Sequence, residues 1–519
     1  MAIFVAALML TATLTLITDT ENPAPQTALG AESPYWLDHR AVDYSVVPDT
    51  GGKELTITNE AEFALFMWEQ DHGVIYDAWT VVLTADLDLS AYQWISVSMS
   101  GVSFDGQGHK IAGLLITEAA LYGVGDLTGN NYEVGFAGLF GAIENCTVCD
   151  LVIESPVINI DSGADIDAET NYIGVIAGVA DGSQIREVYI FDPTVILSSR
   201  YYDPWYCSIG NAFIGGVVGG SGNDTIINGA EVYGGTVSVD AYMWEYYDDN
   251  TYEWGSAIYL GGISGANYDS IIANAAVYGT LISAVLETYN ETPIYSFNMG
   301  GITGYTSAVS IPDIGYVCVI NCISTAKFNT SMNSNEITAE YGVYLGGIAG
   351  FVNEDNAVNN VYIDTGENVG CTVDIFGCVV KGDFDVSYNY IVSDGRTETW
   401  AFDDWDEDPV QFNYNDIIER LNGDGFDLAV TLTAANMGKT EEWVRENGIL
   451  KKWVFLPEGD NYDEDTPGLV MSPDADDPAG ETPGDDDPSE GMPIALIIGV
   501  VAVLVIAGFC VYWFVIRKK

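Results

Sequence analysis

The sequence predicts an all-β solenoid, a parallel β-helix with three strands per coil. Three observations carry this. A glycine-rich motif recurs through the middle of the chain, two short apolar strands follow most copies, and no helical period runs between them. The motif reads F-I-G-G-V-V-G at 213–219, Y-L-G-G-I-S-G at 259–265, N-M-G-G-I-T-G at 298–304 and Y-L-G-G-I-A-G at 344–350. Looser copies are F-A-G-L-F-G at 136–141 and Y-I-G-V-I-A-G at 172–178. The final glycines, Gly141, Gly178, Gly219, Gly265, Gly304 and Gly350, are separated by 37, 41, 46, 39 and 46 residues. Self-similarity at such a period marks a solenoid, an array or a propeller.

Each motif is apolar and mostly β-branched around its inner glycines, which are Gly138, Gly174, Gly215, Gly216, Gly261, Gly262, Gly300, Gly301, Gly346 and Gly347. It therefore reads as a strand with close backbone approach. Second strands follow at 185–191, 272–278 and 358–363, and third strands at 194–197, 236–239 and 280–283. Equivalent strands of successive coils would stack about 4.8 Å apart in three parallel sheets. Ile176, Val218, Ile263, Ile302 and Ile348, or their neighbours in one register, are expected to face the core. Nine residues after the final glycine stand Glu187, Asn228 and Asn274, and ten after it Asn360. Asn145 and Asn321 are assigned the same slot at other spacings. Asn tolerates a left-handed corner, so these side chains could form a ladder between coils. They could also be ordinary turn asparagines.

The glycine repeats resemble the GLUG repeats of bacterial and archaeal surface proteins. The preceding stretch is similar to that family too: L-T-A-D-L-D-L at 83–89, Trp94, F-D-G-Q-G-H-K-I-A-G-L at 104–114, then F-A-G-L-F-G. The resemblance covers about 55–365. It implies a right-handed parallel β-helix and an adhesin-like role at a cell surface. Some members carry a zinc peptidase module. Here the only histidines are His39, His72 and His109, none in H-E-x-x-H, so no catalytic residue carries over.

The charge is extreme, with 76 acidic against 16 basic residues and a net −60. That excludes nucleic acid and anionic membrane surfaces as natural electrostatic partners. Eight cysteines, of which Cys510 lies in a terminal apolar run, leave an odd number elsewhere and no complete disulfide framework. Cys146 and Cys149 form the one C-x-x-C, poorly placed for zinc on a strand, where residues three apart face opposite ways. Buried thiols are expected; a Cys371–Cys378 disulfide is open in an exported protein.

Residues 1–31 hold an apolar run of signal-peptide length, either cleaved or kept as an anchor. After a leader at 32–54, Asn59 can cap a helix whose first turn holds Glu60 and Glu62 and whose apolar face is Phe63, Phe66 and Met67. Such a helix would cover the open first coil. The β-helix spans 55–400 and a C-terminal cap 401–456, with helical turns at 415–422 and a closing segment at 441–455. Residues 457–492 contain 13 acidic and no basic residues, an acidic, Pro-rich, disordered linker. Residues 493–516, apolar from Ile494 to Ile516, form a transmembrane helix, and Arg517-Lys518-Lys519 a cytoplasmic tail, leaving the body outside.

Most repeats lengthen between the third strand and the next glycine strand, at 161–171, 198–212, 240–257, 286–297 and 329–343. Insertions on one face of a solenoid are often its binding face. Two of these loops would gather Tyr201, Tyr202, Trp205, Tyr206, Tyr242, Trp244, Tyr246, Tyr247, Tyr252 and Trp254 beside Asp203, Asp248 and Asp249. Aromatic planes with neighbouring carboxylates suit sugars, whose C–H faces stack and whose hydroxyls donate hydrogen bonds. The same aromatics could instead fix long loops to their neighbours. The expected partner is a glycan or a surface protein of another cell or matrix, with no cofactor. A polysaccharide hydrolase or lyase and a purely structural envelope protein are the alternatives. Calcium is a weaker suggestion from Asp161, Asp165, Asp167 and Glu169, which match no EF-hand spacing. Asn145, Asn223, Asn290 and Asn329 lie in N-x-S/T sequons.

Overall fold

A computed structural model describes residues 34–470, apart from 126–130, 162–167, 200–210, 244–256, 289–295, 308–317, 333–342, 354–355, 381–387, 394–398, 403–409, 413, 438 and 456–466. Most of its strands fall into three long, mainly parallel sheets, and the fold is all-β and parallel β-helix-like. One coil illustrates the path. Asn211–Gly215 and Val218–Gly222 lie in a glycine sheet, Ile226–Asn228 and Glu231–Tyr233 in a broad sheet, and Thr236–Met243 in a narrow sheet. The next coil opens with Ala257–Gly261, parallel to Asn211–Gly215 with Phe213 opposite Tyr259. All six motifs join the glycine sheet, and Asp374–Val380 adds one more strand beyond them.

Five of the six motifs are a sharp bend between two half-strands; the sixth lies in one unbroken strand, Val343–Asn353, whose two ends pair with separate half-strands of the preceding coil. The reason is steric. A Cβ on Gly265 would lie 2.4 Å from the Ile214 nitrogen and 2.6 Å from the Gly219 oxygen. A Cβ on Gly261 would lie 2.1 Å from the Ser264 oxygen, and one on Gly262 2.3 Å from the Gly301 oxygen. All these neighbours are backbone atoms, which cannot rotate away. Glycine is thus required because half-strands of one coil, and of adjacent coils, approach each other with no room for a side chain.

The aromatic residue that opens most motifs fills the fold of the glycine sheet. Rings follow one another coil upon coil: Phe136–Tyr172 at 5.8 Å and Tyr172–Phe213 at 4.6 Å are stacked, and Phe213–Tyr259 at 5.2 Å between centroids is tilted. Asn298 takes the aromatic position between Tyr259 and Tyr344. There Tyr305, from the returning half-strand, lies 5.1 Å from Tyr259 and 5.5 Å from Phe351. On the opposite face, Ile176, Val218, Ile263, Ile302 and Ile348 are fully buried in the coil interior. Val217 rather than Val218 shares the exact register of Ile176 and Ile263, since Val218 pairs with Ala177 and Ser264.

The N-terminal end is covered as the sequence indicates. Glu54–Ile57 is a strand, and the helix Glu60–Asp71 follows, its Glu62 amide donating to the Asn59 side chain at 3.0 Å. Phe63 stacks on Trp94 at 4.8 Å and packs against Phe104 and Phe140. Glu62 is buried beneath this turn. Burial alone would raise its pKa, but hydrogen bonds from Ser45 and Thr58 outweigh that and hold it below the usual carboxylate value.

The C-terminal region departs from a simple end cap. Helices Tyr414–Asn422, Asp424–Asn436 and Glu441–Glu446 and strand Lys452–Phe455 turn back along the outside of the broad sheet. Helix Asp424–Asn436 has no counterpart in the sequence reading. Strand Pro467–Val470 pairs antiparallel with Lys452–Phe455, so order reaches into the stretch read as a disordered linker. Residues 1–33 and 471–519, with the N-terminal apolar run and the apolar stretch from Ile494 to Ile516, lie outside the described residues.

Replacing Gly265 with Ala should destabilise the protein by about 2–3 kcal/mol, the cost of overpacking against fixed atoms. Equilibrium urea unfolding measures this. A loss below about 0.5 kcal/mol, the size of an ordinary surface change, would contradict the steric account of the motif.

Candidate functional site

The five insertions leave one corner of the solenoid. Val157–Asp161, Thr194–Ser199, Thr236–Met243, Leu281–Thr288 and Lys327–Met332 run side by side in the narrow sheet. Asp161, Ser198, Asp240, Val285 and Ser331 form one column across them. The chain re-enters the glycine sheet at strands that are also neighbours, with Thr170 opposite Asn211 and Ala212 opposite Ile258. The Asn211 side chain accepts from the Ala257 amide at 3.1 Å and so joins the two re-entry points. Both ends of the 198–212 loop therefore sit beside both ends of the 240–257 loop.

Of the candidate ligand residues, Tyr242 lies on the strand Thr236–Met243, opposite Glu287. Tyr201, Tyr202, Asp203, Trp205, Tyr206, Trp244, Tyr246, Tyr247, Asp248, Asp249, Tyr252 and Trp254 lie outside the described residues, as do Asp165 and Asp167. At the same corner, in the last of these coils, an open cleft of 430 Å³ is lined by Thr330, Ser331, Val343, Leu345, Gly370 and Cys371.

A second constellation lies on the broad sheet, and it is an asparagine ladder. Asn274 donates to Asn228, Asn321 to Asn274 at 2.7 Å, and Asn359 to Asn321 at 2.9 Å. Asn274, Asn321 and Asn359 have φ of 51°, 57° and 62°, the left-handed region that Asn accepts most readily. Glu187 occupies that corner in an earlier coil with φ 47°, and Gly229 with φ 77°, so Asn228 stands one residue before it. Asn145 sits at a different corner, between Phe140–Glu144 and Thr147–Glu154. Asn360 points to a separate inner column. Its Nδ2 donates to Asn389 at 2.9 Å, and its Oδ1 accepts from the Cys322 amide at 2.8 Å.

The outer ladder also holds the C-terminal segment. Asn274 donates to the Ile449 carbonyl at 2.7 Å and accepts from the Lys451 amide at 2.8 Å; Asn321 donates to the Lys451 carbonyl at 2.8 Å. The Lys451 ammonium meets Glu231 at 2.9 Å with both side chains largely buried. This docking was missed in the sequence, though one signal was present. Residues 271–278 are apolar at nearly every position, the mark of a strand covered on both faces.

Cys146, Cys149, Cys322, Cys371 and Cys378 are free thiols, so Cys371 and Cys378 are not joined. Cys146 packs in the coil core, and burial pushes its pKa up to about 11. Burial pushes Cys322 up to about 12. Asp105, Cys149 and Asp150 bring three potential ligand atoms within 4.8 Å of one another. Burial first, then the two carboxylates, push the Cys149 thiol up to about 11. A thiol held protonated at neutral pH is a weak ligand, and Asp105, Cys149 and Arg186 are stacked coil neighbours in their own right.

No protein-family model, curated protein or solved structure matches the chain. Among the described residues no helix is long and apolar enough to cross a membrane.

The raised thiols give a pH signature. Cys146 and Cys322 ionise near pH 9 when unfolded and only near 11 and 12 when folded. Their contribution to stability is complete below pH 9 and is lost as pH rises toward those folded values. Thermal melting from pH 8 to 10.5 should therefore show a falling midpoint. Cysteine substitution by Ala should flatten the fall, and an unchanged slope would contradict the assignment.

Proposed function

We propose that the chain is a membrane-anchored, adhesin-like cell-surface binding protein of the GLUG-repeat kind. In this reading 1–31 directs export, 493–516 anchors the chain and 517–519 faces the cytoplasm. The coils wind in the right-handed sense that parallel crossovers almost always take. The loops at 198–212 and 240–257 form one ligand surface, for a glycan or for a partner's surface protein. Its chemistry would be ring stacking by Tyr and Trp, with Asp203, Asp248 and Asp249 accepting from hydroxyls.

The observation that carries the reading is the register of the loop ends. Ser198 pairs with Asp240, and Ala212 with Ile258. Neighbouring strands lie about 4.8 Å apart, so the two insertions start and finish next to each other. Composition supports it further: the two loops hold ten Tyr or Trp, and Arg200 is their one basic residue. The acidic stretch beyond Val470, 471–492, suits a solvated spacer, with a reach of up to about 73 Å when fully extended.

Trp205→Ala and Trp244→Ala should each weaken binding by about 1–3 kcal/mol, the range of interface hot spots. A glycan array or whole-cell adhesion assay reads this, with thermal melting in parallel. Unchanged binding in the double variant, or loss that follows only from unfolding, would make the loops packing elements and remove the site.

A further inference from the structure

The outward positions of the broad sheet change character along the solenoid. In Gln184–Phe191 they are Gln184, Arg186, Tyr189 and Phe191. In register with Arg186 come Asn228, Ala273, Ile320 and Val358. In register with Tyr189 come Glu231, Ala276, Ile323 and Val361. Both columns turn apolar in the later coils, where the C-terminal segment lies over them. Ile320 and Val358 pack with Phe426, Val430 and Leu450 in one cluster, and Ile323 and Val361 with Ile417, Leu421 and Trp453 in another. Both clusters are separate from the core inside the coils.

We propose that residues 414–455 form a detachable strap. It is the first part of the folded chain to yield when the C-terminus is pulled, and its release bares an apolar face while the coils stay folded. The argument compares two kinds of attachment. Coil is joined to coil by parallel ladders in three sheets and by a continuous interior. Among the described residues the strap joins no strand of the broad sheet, since Lys452–Phe455 pairs with Pro467–Val470 in a separate two-stranded sheet. It is held by side-chain packing, by Asn274 and Asn321 on Ile449 and Lys451, and by the Lys451–Glu231 ion pair. It is also tied within itself. Asn422 and Trp453 exchange two hydrogen bonds of 2.7 and 2.8 Å, and Arg445 meets Asp427 at 2.8 Å, so it moves as a unit.

The direction of pull matters as well. Val470 pairs with Lys452, and Pro467 with Phe455. Tension at Val470 opens this hairpin from the Lys452 end, one pairing at a time, and passes directly to Lys451 on the asparagine ladder. That tension acts in the cell only if 493–516 is an anchor, and in this the inference rests on the proposed function. The weakness of the strap does not.

The test is optical-tweezers extension of the full chain in detergent micelles, with handles at its two ends. The expected first event is the one at lowest force. It should lengthen the chain by about 200 Å, the extended reach of 414–470, and precede any loss of coils. Lys451→Ala should lower the force of that event and leave later ones in place. In bulk, the same variant should bind the apolar dye ANS several-fold more than the unaltered protein, at temperatures where strand circular dichroism is unchanged. A first event that removes coils, one that ignores Lys451→Ala, or an absent rise in dye binding overturns the proposal. The handles impose the load, so these outcomes are independent of anchoring, which carbonate extraction of native membranes tests separately.

Discussion

The structure depends on one steric constraint: half-strands of one coil, and of adjacent coils, approach each other so closely that no side chain fits between their backbones. Gly219, Gly265, Gly304 and Gly350 meet it against the half-strand of the preceding coil, where an added Cβ would come within 2.8 Å of a backbone nitrogen. Gly215, Gly261, Gly300 and Gly346 meet it across the bend itself, where the clash is with the carbonyl three residues on. Once the bend is fixed, the aromatic at the head of the motif has one place to go, inside the fold of the sheet, and its rings stack at the spacing of the coils. Much of the variation in repeat length is then absorbed at the opposite corner, between the narrow and glycine sheets. The bend therefore dictates where insertions gather, and with them the candidate ligand surface.

The broad sheet solves a different problem. It must turn within each coil, and the turning residue takes a left-handed conformation. Asn answers that at Asn274, Asn321 and Asn359, and its amide also bridges to the next coil. A ladder of amides has donors and acceptors to spare, and buried polar groups need partners. Ile449 and Lys451 supply them through backbone carbonyls and an amide. The asparagines thus join coil to coil and strap to sheet, and Asn321 and Asn359 are fully buried although they lie outside the coil interior.

What was legible in the sequence was whatever repeats. The glycine bends, the following strands, the buried aliphatic positions and the Asn59-capped helix all announce themselves by periodicity or by local capping chemistry. The asparagine slot was only half legible. A strict count of nine from the final glycine reaches the left-handed corner at Asp150, Glu187, Asn274 and Asn359 and falls one short at Gly229; departing from the count is what selected Asn360 and Asn145. Asn228 falls one residue early, Asn359 rather than Asn360 holds the outer ladder, and Asn145 belongs to another corner. The strap was not legible as such, because docking across coils is a contact between residues some 175 positions apart, as for Asn274 and Ile449. The apolar outward residues Ala273, Ala276, Ile320 and Ile323 were its trace. The loops at 198–212 and 240–257 carry no period, so their composition was legible and their arrangement was not.

The central claim is that successive coils stack in register and so bring the insertions together. Asp161 and Ser331 lie in one column of the narrow sheet, four coils apart. Their backbones should be separated by about 19 Å at the usual strand spacing. Spin labels at these two positions, read by double electron–electron resonance, measure that distance directly. A distribution centred near 20 Å, widened only by the label arms, is the expected result. A distance beyond about 35 Å, as for units arranged around a central axis instead of stacked at strand spacing, would contradict the account.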